Sequence, residues 1–328
     1  MTASRRAGAA LLAMVGLVAL GGSLLAPHDP GQQFADFSYA PPMALHLFDE
    51  AGQWRGPFFY PLRLVNRLEH RFEEDRSRPT RLRWTGTRRG RTSPEGPWLP
   101  LGADALGRDI WARVLLGARL SLGVAVAGAV AALLLGAAVG AIAGFNGGRV
   151  DEVLMGAASL VLVLPAIYVV IVLRAAMPLV LSPSRVFWTL AGVLAAAGWP
   201  YPARSVRAVV ARERAREYAE AARALGAEPS RILLRHLLPA TRQHLGVQLT
   251  LLLPACILAE ATLSFVGFGF AEPAPSWGVM LQEAAQAGAL ADAPWLLAPA
   301  AAIVISVLSL HLLAGRPSSA GLVQDKST

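Results

Sequence analysis

Glu217-Tyr-Ala-Glu-Ala-Ala-Arg-Ala-Leu-Gly226, followed by Ala227-Glu-Pro-Ser-Arg-Ile-Leu-Leu-Arg-His-Leu-Leu-Pro239, forms the middle of a basic, polar run from Arg204 to Arg242 in an otherwise apolar chain. Arg204 to Leu225 is dense in Ala, Arg and Glu, all strong helix formers. Tyr218, Ala222 and Leu225 fall at i, i+4 and i+7, which predicts a charged helix with one narrow apolar stripe. Gly226, just past the last periodic residue, suits a left-handed position at the helix end. Pro229 suits the first turn of a second helix, whose Ile232, Leu233 and Leu237 form another stripe ending at Pro239. The unit is helix, glycine turn, short helix. On residue types alone it is either a solvated surface hairpin or a basic helix-turn-helix for DNA. Apolar spans close by on both sides leave little room for a free DNA-binding domain, so no nucleic-acid partner is expected.

Of the 328 residues, 54% are hydrophobic and only 16% charged, the composition of a polytopic membrane protein rather than of two soluble domains. The formal charge of +8 comes almost entirely from arginine, Lys326 being the only lysine, and its distribution bears on membrane orientation more than on nucleic acid. One cysteine, Cys256, lies in an apolar stretch, so neither a disulfide within the chain nor a cysteine-rich metal site is possible.

Arg5-Arg6 followed by Ala7 to Ala26 fits a signal peptide or a first transmembrane helix. The retained helix is favoured: the apolar run is about 20 residues, enough to span, and Leu24 and Pro27 flank a poor cleavage site after Ala26. From Pro27 to Pro100 the chain turns polar and mixed in charge, with paired prolines and Phe58-Phe59-Tyr60, and cannot lie in hydrocarbon. Eleven arginines there face nine acids, a weak conflict with the positive-inside tendency if this segment lies outside. His28, Asp29, His46, Asp49, Glu50 and His70 are metal-capable types without a compact ligand spacing, so no metal site is expected.

Further spans are expected at Leu120 to Phe145, Val153 to Met177, Val186 to Trp199, His244 to Leu263 and Pro294 to Leu313. Gly136, Gly140 and Gly144 recur on one face of the second and predict a close packing seam with another helix. Pro165 predicts a kink in the third span, and Arg174 near its far end can snorkel. Glu260 is the one acid set well into an apolar run. It reads either as a proton or substrate contact or as a residue of a hydrated mouth, since it stands near a helix end. The fold class is therefore all-α, polytopic, with six transmembrane helices. Its divisions are 1–26 (first helix), 27–100 (extracytoplasmic segment), 101–315 (five-helix core with the loop 204–242) and 316–328 (tail). With both termini cytoplasmic, the loop 204–242 is also cytoplasmic, and its nine arginines against four glutamates obey the positive-inside rule.

Three stretches carry a family resemblance. Glu220-Ala221-Ala222, three residues, Gly226, nine residues, position 236 and then Leu238-Pro239 resemble the EAA loop of bacterial ABC-importer permeases. The family's general pattern has isoleucine at the position of His236, whereas Arg235-His236-Leu237-Leu238-Pro239 resembles the variant of its dipeptide and oligopeptide permeases. Leu101-Gly-Ala-Asp104-Ala-Leu-Gly107-Arg108-Asp109 resembles the Gly-x-Asp-x-x-Gly-Arg-Asp stretch before the second helix of the peptide type; its glycines suit turns, and Asp104, Arg108 and Asp109 suit paired charges at an interface. Leu263-Ser264-Phe265-Val-Gly267-Phe-Gly269, with Ser276-Trp277-Gly278, resembles the signature after the fifth helix. The family's Asn-Leu-Leu-Gly-Asp-like end is replaced here by His311-Leu-Leu-Ala-Gly-Arg316.

The resemblance, covering roughly Leu101 to Gly315, implies a permease subunit of the dipeptide/oligopeptide/nickel class in a bacterial cytoplasmic membrane. It implies a second related permease subunit, two ABC ATPase subunits and an extracytoplasmic binding protein as partners, besides the lipid bilayer. It further implies that Glu217, Tyr218, Glu220, Ala221, Ala222, Leu225, Gly226, Arg235, His236 and Pro239 dock on the ATPases. Glu260, Ser264, Phe265, Gly267 and Gly269 are candidates for the translocation path or gate. No Gly-x-x-x-x-Gly-Lys-Ser/Thr loop occurs, so the chain cannot itself hydrolyse ATP by that route; it is expected to be no enzyme, to have no catalytic residues and to bind no cofactor, ATP being used by the partner subunits. The substrate is not readable.

Overall fold

The computed structural model describes residues 3–48, 52–67, 69–82, 96–163, 182–286 and 291–314. It is mostly helical. The helices are α1 (Ala3–Leu25), α2 (Ile110–Asn146), α3 (Gly148–Val163), α4 (Pro183–Gly198), α5 (Pro200–Arg214), α6 (Glu217–Ala224), α7 (Pro229–Ile232), α8 (Arg242–Phe265), α9 (Trp277–Gln286) and α10 (Ala298–Ala314). Four stretches among the described residues are long and apolar enough to cross a membrane: Arg5–Leu25, Ile110–Asn146, Pro229–Phe265 and Pro294–Ala314. They contain the expected first, second, fifth and sixth spans. The expected third span enters residues 164–181, which with Pro165 and Arg174 lie outside the described residues, as does the tail 316–328. The expected fourth span corresponds to α4, which has 16 residues.

The all-α expectation fails between α1 and α2. Five short strands lie there: β1 (His46–Phe48), β2 (Trp54–Phe59), β3 (Leu62–Asn66), β4 (Arg71–Glu74) and β5 (Thr80–Arg81). They form an antiparallel sheet of order β1-β2-β5 and a separate β3-β4 hairpin in which Leu64 faces Phe72. Met43, Phe59, Leu99 and Ala103 build a small apolar core beneath, with Phe37, Leu62 and Phe72 packed against it. The strands are two to six residues long, too short for an alternating pattern to stand out amid so many charges.

α2 is the axis. Its 37 residues span about 55 Å at 1.5 Å per residue, and the segment holds no proline. One end of it packs with α8, α9 and α10 in the main apolar cluster, including Val124, Ala129, Ile257, Leu263, Trp277 and Ile303. At the other end Ala141 joins Val206, Val210, Ala219, Ile232 and Leu237 in a second cluster beneath the loop 217–239. α1 lies along α10 and α2; Arg5 donates to the Leu313 carbonyl, and an added Cβ at Gly22 would sit 2.8 Å from the Leu115 carbonyl oxygen.

Candidate functional site

The seam predicted from the glycine repeat joins α2 to α5. A Cβ on Gly144 would lie 2.6 Å from the Arg207 carbonyl oxygen; one on Gly140 would run into the Ala203 carbonyl, and one on Gly136 into that of Trp199. Backbone therefore packs on backbone, which only glycine permits. Arg207 on α5 also grips Asp151 on α3, its Nε lying 2.9 Å from Oδ1.

α5 ends at Arg214 and α6 begins at Glu217, with a turn at Ala215-Arg216 where a single continuous helix was expected. Glu213 fills the corner, only 6% exposed. Its Oε2 accepts from the Tyr218 hydroxyl at 3.0 Å and pairs with Arg216 Nε at 3.0 Å, while Arg212 Nε lies 3.5 Å from Oε1. Burial, then the Glu213 hydrogen bond, pushes the Tyr218 hydroxyl above its ordinary range. At the other end of α6, Arg223 Nη2 donates to the Arg214 carbonyl at 2.7 Å.

The expected stripe Tyr218, Ala222, Leu225 is not the one buried. Ala219 is fully buried and Ala222 half-buried, Tyr218 is largely exposed, and Leu225 is 87% exposed. The reason is length: α6 has eight residues and seats on α5 through its alanines, and Leu225 already lies past its end. Gly226 does adopt the left-handed conformation, at φ +78°. Its N–H donates to the Arg223 carbonyl at 2.9 Å and that of Ala227 to Ala222 at 3.0 Å, the Schellman pairing that closes a helix on glycine. Ile232 and Leu237 turn inward as the second stripe predicted, with Leu233 half-buried. Glu217, Glu220, Ala221, Gly226, Arg235, His236 and Pro239 are exposed, and with Leu225 and Leu234 they give the loop a mixed charged and apolar face above an apolar base.

At the far end of α2, the 102–109 stretch and the α8–α9 connection meet. Arg108 and Arg113 there grip Asp104, Glu272 and Glu283. Arg108 Nε lies 2.7 Å from Asp104 and Nη2 3.0 Å from Glu283; Arg113 lies 2.8 Å from Glu272 and 2.7 Å from Glu283. Arg108 also pairs with Glu272, and Arg113 with Asp104. Glu283 is pushed up to about 7: burial raises it, the Arg113 hydrogen bond opposes, and the Glu272 hydrogen bond adds to burial. Glu272 is held below its ordinary range: burial opposes, but Glu283, Arg113 and Arg108 prevail. Asp109 leaves this set. It accepts the Trp111 N–H at 2.9 Å, capping α2, and pairs with buried His28 Nδ1 at 2.9 Å. Burial raises its carboxyl above the ordinary range, against the His28 bond.

The gate candidates adjoin this cluster. Glu260 is fully buried, and Ser264 Oγ donates to its Oε1 at 2.9 Å. The Ser121 and Ser276 hydroxyls face the same carboxyl. Ser264 is buried against Gly269, Gly267 turns at φ +88°, and Phe265 is partly exposed. Trp277 fastens the segment to α2, its N–H donating to Ser121 and its indole to the Val114 carbonyl. Of the metal-capable histidines, His46 lies tilted against Phe58 and Tyr60, and His70 meets Tyr39 edge to face.

Sequence reasoning missed Arg113, Glu213, Glu272 and Glu283. A signal existed for Arg113, a cation just inside the longest apolar helix, and for Glu283, an acid within the short helix after the Pro-Ser-Trp-Gly motif.

Several helices able to cross a bilayer, with an exposed helix-glycine-helix loop at one end, define a multi-helix protein of membrane type. Residues 136–316 match the family described as binding-protein-dependent transport system inner membrane component, and the chain belongs to that family. It is 38% identical over 213 residues to the oligopeptide transport system permease protein OppC of Bacillus subtilis, covering 65% of this chain and 67% of that protein. It is 40% identical over 182 residues to the dipeptide transport system permease protein DppC of the same organism, covering 56% of this chain and 55% of that protein.

Proposed function

We propose that the chain is the transmembrane subunit of an ATP-driven peptide importer and that residues 217–239 dock on separate ATPase subunits. ATP is bound and hydrolysed there, and this chain is no enzyme and binds no cofactor. Six spans cross the bacterial cytoplasmic membrane, the third being the sequence range Val153 to Met177 and the fourth Val186 to Trp199. Both termini lie in the cytoplasm, with 27–100 outside. A second related permease subunit completes the pathway, and an extracytoplasmic binding protein delivers the solute.

The observation that carries this reading is the exposed face of the 217–239 loop, charged residues with Leu225 and Leu234 among them, held on an apolar base and turned by Gly226. The Glu260 to Gly269 segment is the gate in this reading, because its buried carboxyl faces Ser121 on α2 and its glycines turn the chain toward α9, at the opposite end from the loop. Gly226→Pro tests it. Proline fixes φ near −65° and removes the N–H that Arg223 accepts. The variant should insert in the membrane normally yet lose copurification with the ATPase subunits and uptake of a labelled dipeptide. Normal uptake would refute the docking role.

A further inference from the structure

Glu213 is the one buried acid of the loop region, and none of the docking candidates explains it. It stands at the end of α5, where two residues, Ala215 and Arg216, separate α5 from α6. Three donors from both sides of the break converge on its carboxylate: Arg212 on α5, Arg216 in the turn and the Tyr218 hydroxyl on α6. α6 is thus pinned near its start by Tyr218 and near its end by Arg223 on the Arg214 carbonyl. α5 in turn cannot slide on α2, because its Ala203 and Arg207 carbonyls lie against Gly140 and Gly144. A two-residue turn without side-chain anchors would let α6 pivot on α5, since only Ala219 is fully buried on it. The carboxylate closes that freedom: itself buried, it would be costly left unpaired, and it accepts from the Tyr218 hydroxyl while pairing with two guanidiniums that remain mostly in solvent.

We propose that Glu213 is a positioning residue that holds α6 at a fixed angle on α5, so that a push on α6 by the ATPase subunit reaches α2 without slack. The proposal rests on the docking reading above. Glu213 acts through Tyr218 and touches no nucleotide.

The experiment uses the full importer, assembled with its ATPase subunits and partner permease in nanodiscs. Spin labels replace Ala224, the exposed last residue of α6, and Leu134, an exposed residue of α2, in a Cys256→Ser background. Distances are read by double electron–electron resonance without nucleotide and after trapping with MgATP and vanadate. With Glu213 intact, the α6–α2 distance should form one narrow distribution with the same mean in both states. Glu213→Leu should broaden it about twofold or more and let the mean differ between states. Glu213→Gln, which keeps an acceptor for Tyr218, should restore most of the narrow distribution, a rescue that general destabilisation would not give. A narrow, state-independent distribution in Glu213→Leu overturns the proposal, as does equal broadening in Glu213→Gln. Loss of ATPase copurification in Glu213→Leu also overturns it, since Glu213 would then belong to docking. Failure of the parent chain to copurify with ATPase subunits would instead sink the docking reading itself.

Discussion

Arg113→Met removes one of the two guanidiniums in the charge cluster at the N-terminal end of α2 while leaving the stem volume in place. Arg113 is 1% exposed and holds Asp104, Glu272 and Glu283 together. Without it, Arg108 alone faces three carboxylates. Breaking a buried ion network by deleting one partner costs about 3–5 kcal/mol, because the remaining charges stay buried and unbalanced. Glu272 is 41% exposed, so solvent screens its share and the lower end, about 3 kcal/mol, is the better figure. For a chain of 328 residues, at about 2.1 cal/mol/K of unfolding entropy per residue, that corresponds to a fall of about 4 °C in unfolding temperature. Cys256 supplies the assay: it is the only thiol and is 5% exposed, so a thiol-reactive dye lights up only as the bundle opens. Scans of purified protein at one fixed rate keep irreversible unfolding comparable between variants. Adding Glu283→Gln to Arg113→Met removes one of the surplus negative charges and should recover part of the loss. A shift in Arg113→Met of under about 2 °C would refute the reasoning and make the network a surface ornament.

Glu283 also sets a pH dependence. Its carboxyl is raised to about 7 in the folded chain, so its contribution is present below the ordinary carboxylate range and lost as pH rises through about 7. The same dye assay should therefore show unfolding temperature falling between about pH 4.5 and 7, and Glu283→Gln should flatten that slope. Gly140→Ala places a methyl against the Ala203 backbone and should cost about 1–3 kcal/mol, whereas Gly156→Ala on α3, with nothing within 4 Å, should be neutral or slightly stabilising. Glu260→Gln keeps an acceptor for Ser264, so uptake of a labelled dipeptide should match the parent across a pH series; a pH-dependent loss would assign Glu260 a proton-carrying role.

What could be read from the sequence was local in origin. Gly226 is predictable because a helix end needs a left-handed residue within the same few positions, and the Gly136 to Gly144 seam because three small residues at helical spacing share a face. The loop's buried stripe was misplaced by the same kind of argument: periodicity cannot tell that α6 stops after eight residues and sits on alanines rather than on Leu225. The charge cluster around Arg108 and Arg113 was out of reach for a different reason. Arg108 and Arg113 find Glu272 and Glu283 across sequence separations of 159 to 175 residues, and no spacing rule spans such a gap. Asp109 illustrates the limit within a motif that was found: its role as helix cap to Trp111 follows from position, but His28 as its partner is 81 residues away.

These two polar ends are joined by one unbroken helix. From Arg113 to Gly144, α2 runs about 46 Å at 1.5 Å per residue, and the segment has no proline to kink it. At one end its arginine is fixed to the α8–α9 connection through Glu272 and Glu283; at the other, its glycines lie on α5, which carries α6 and the exposed loop. Both contacts resist sliding, one by charge pairing and one by backbone interlock. A displacement of α5 therefore cannot be absorbed at the seam. It must tilt α2 as a body, and the first elements to feel that tilt at the far end are Glu272, Glu283 and the Trp277 anchor on Ser121.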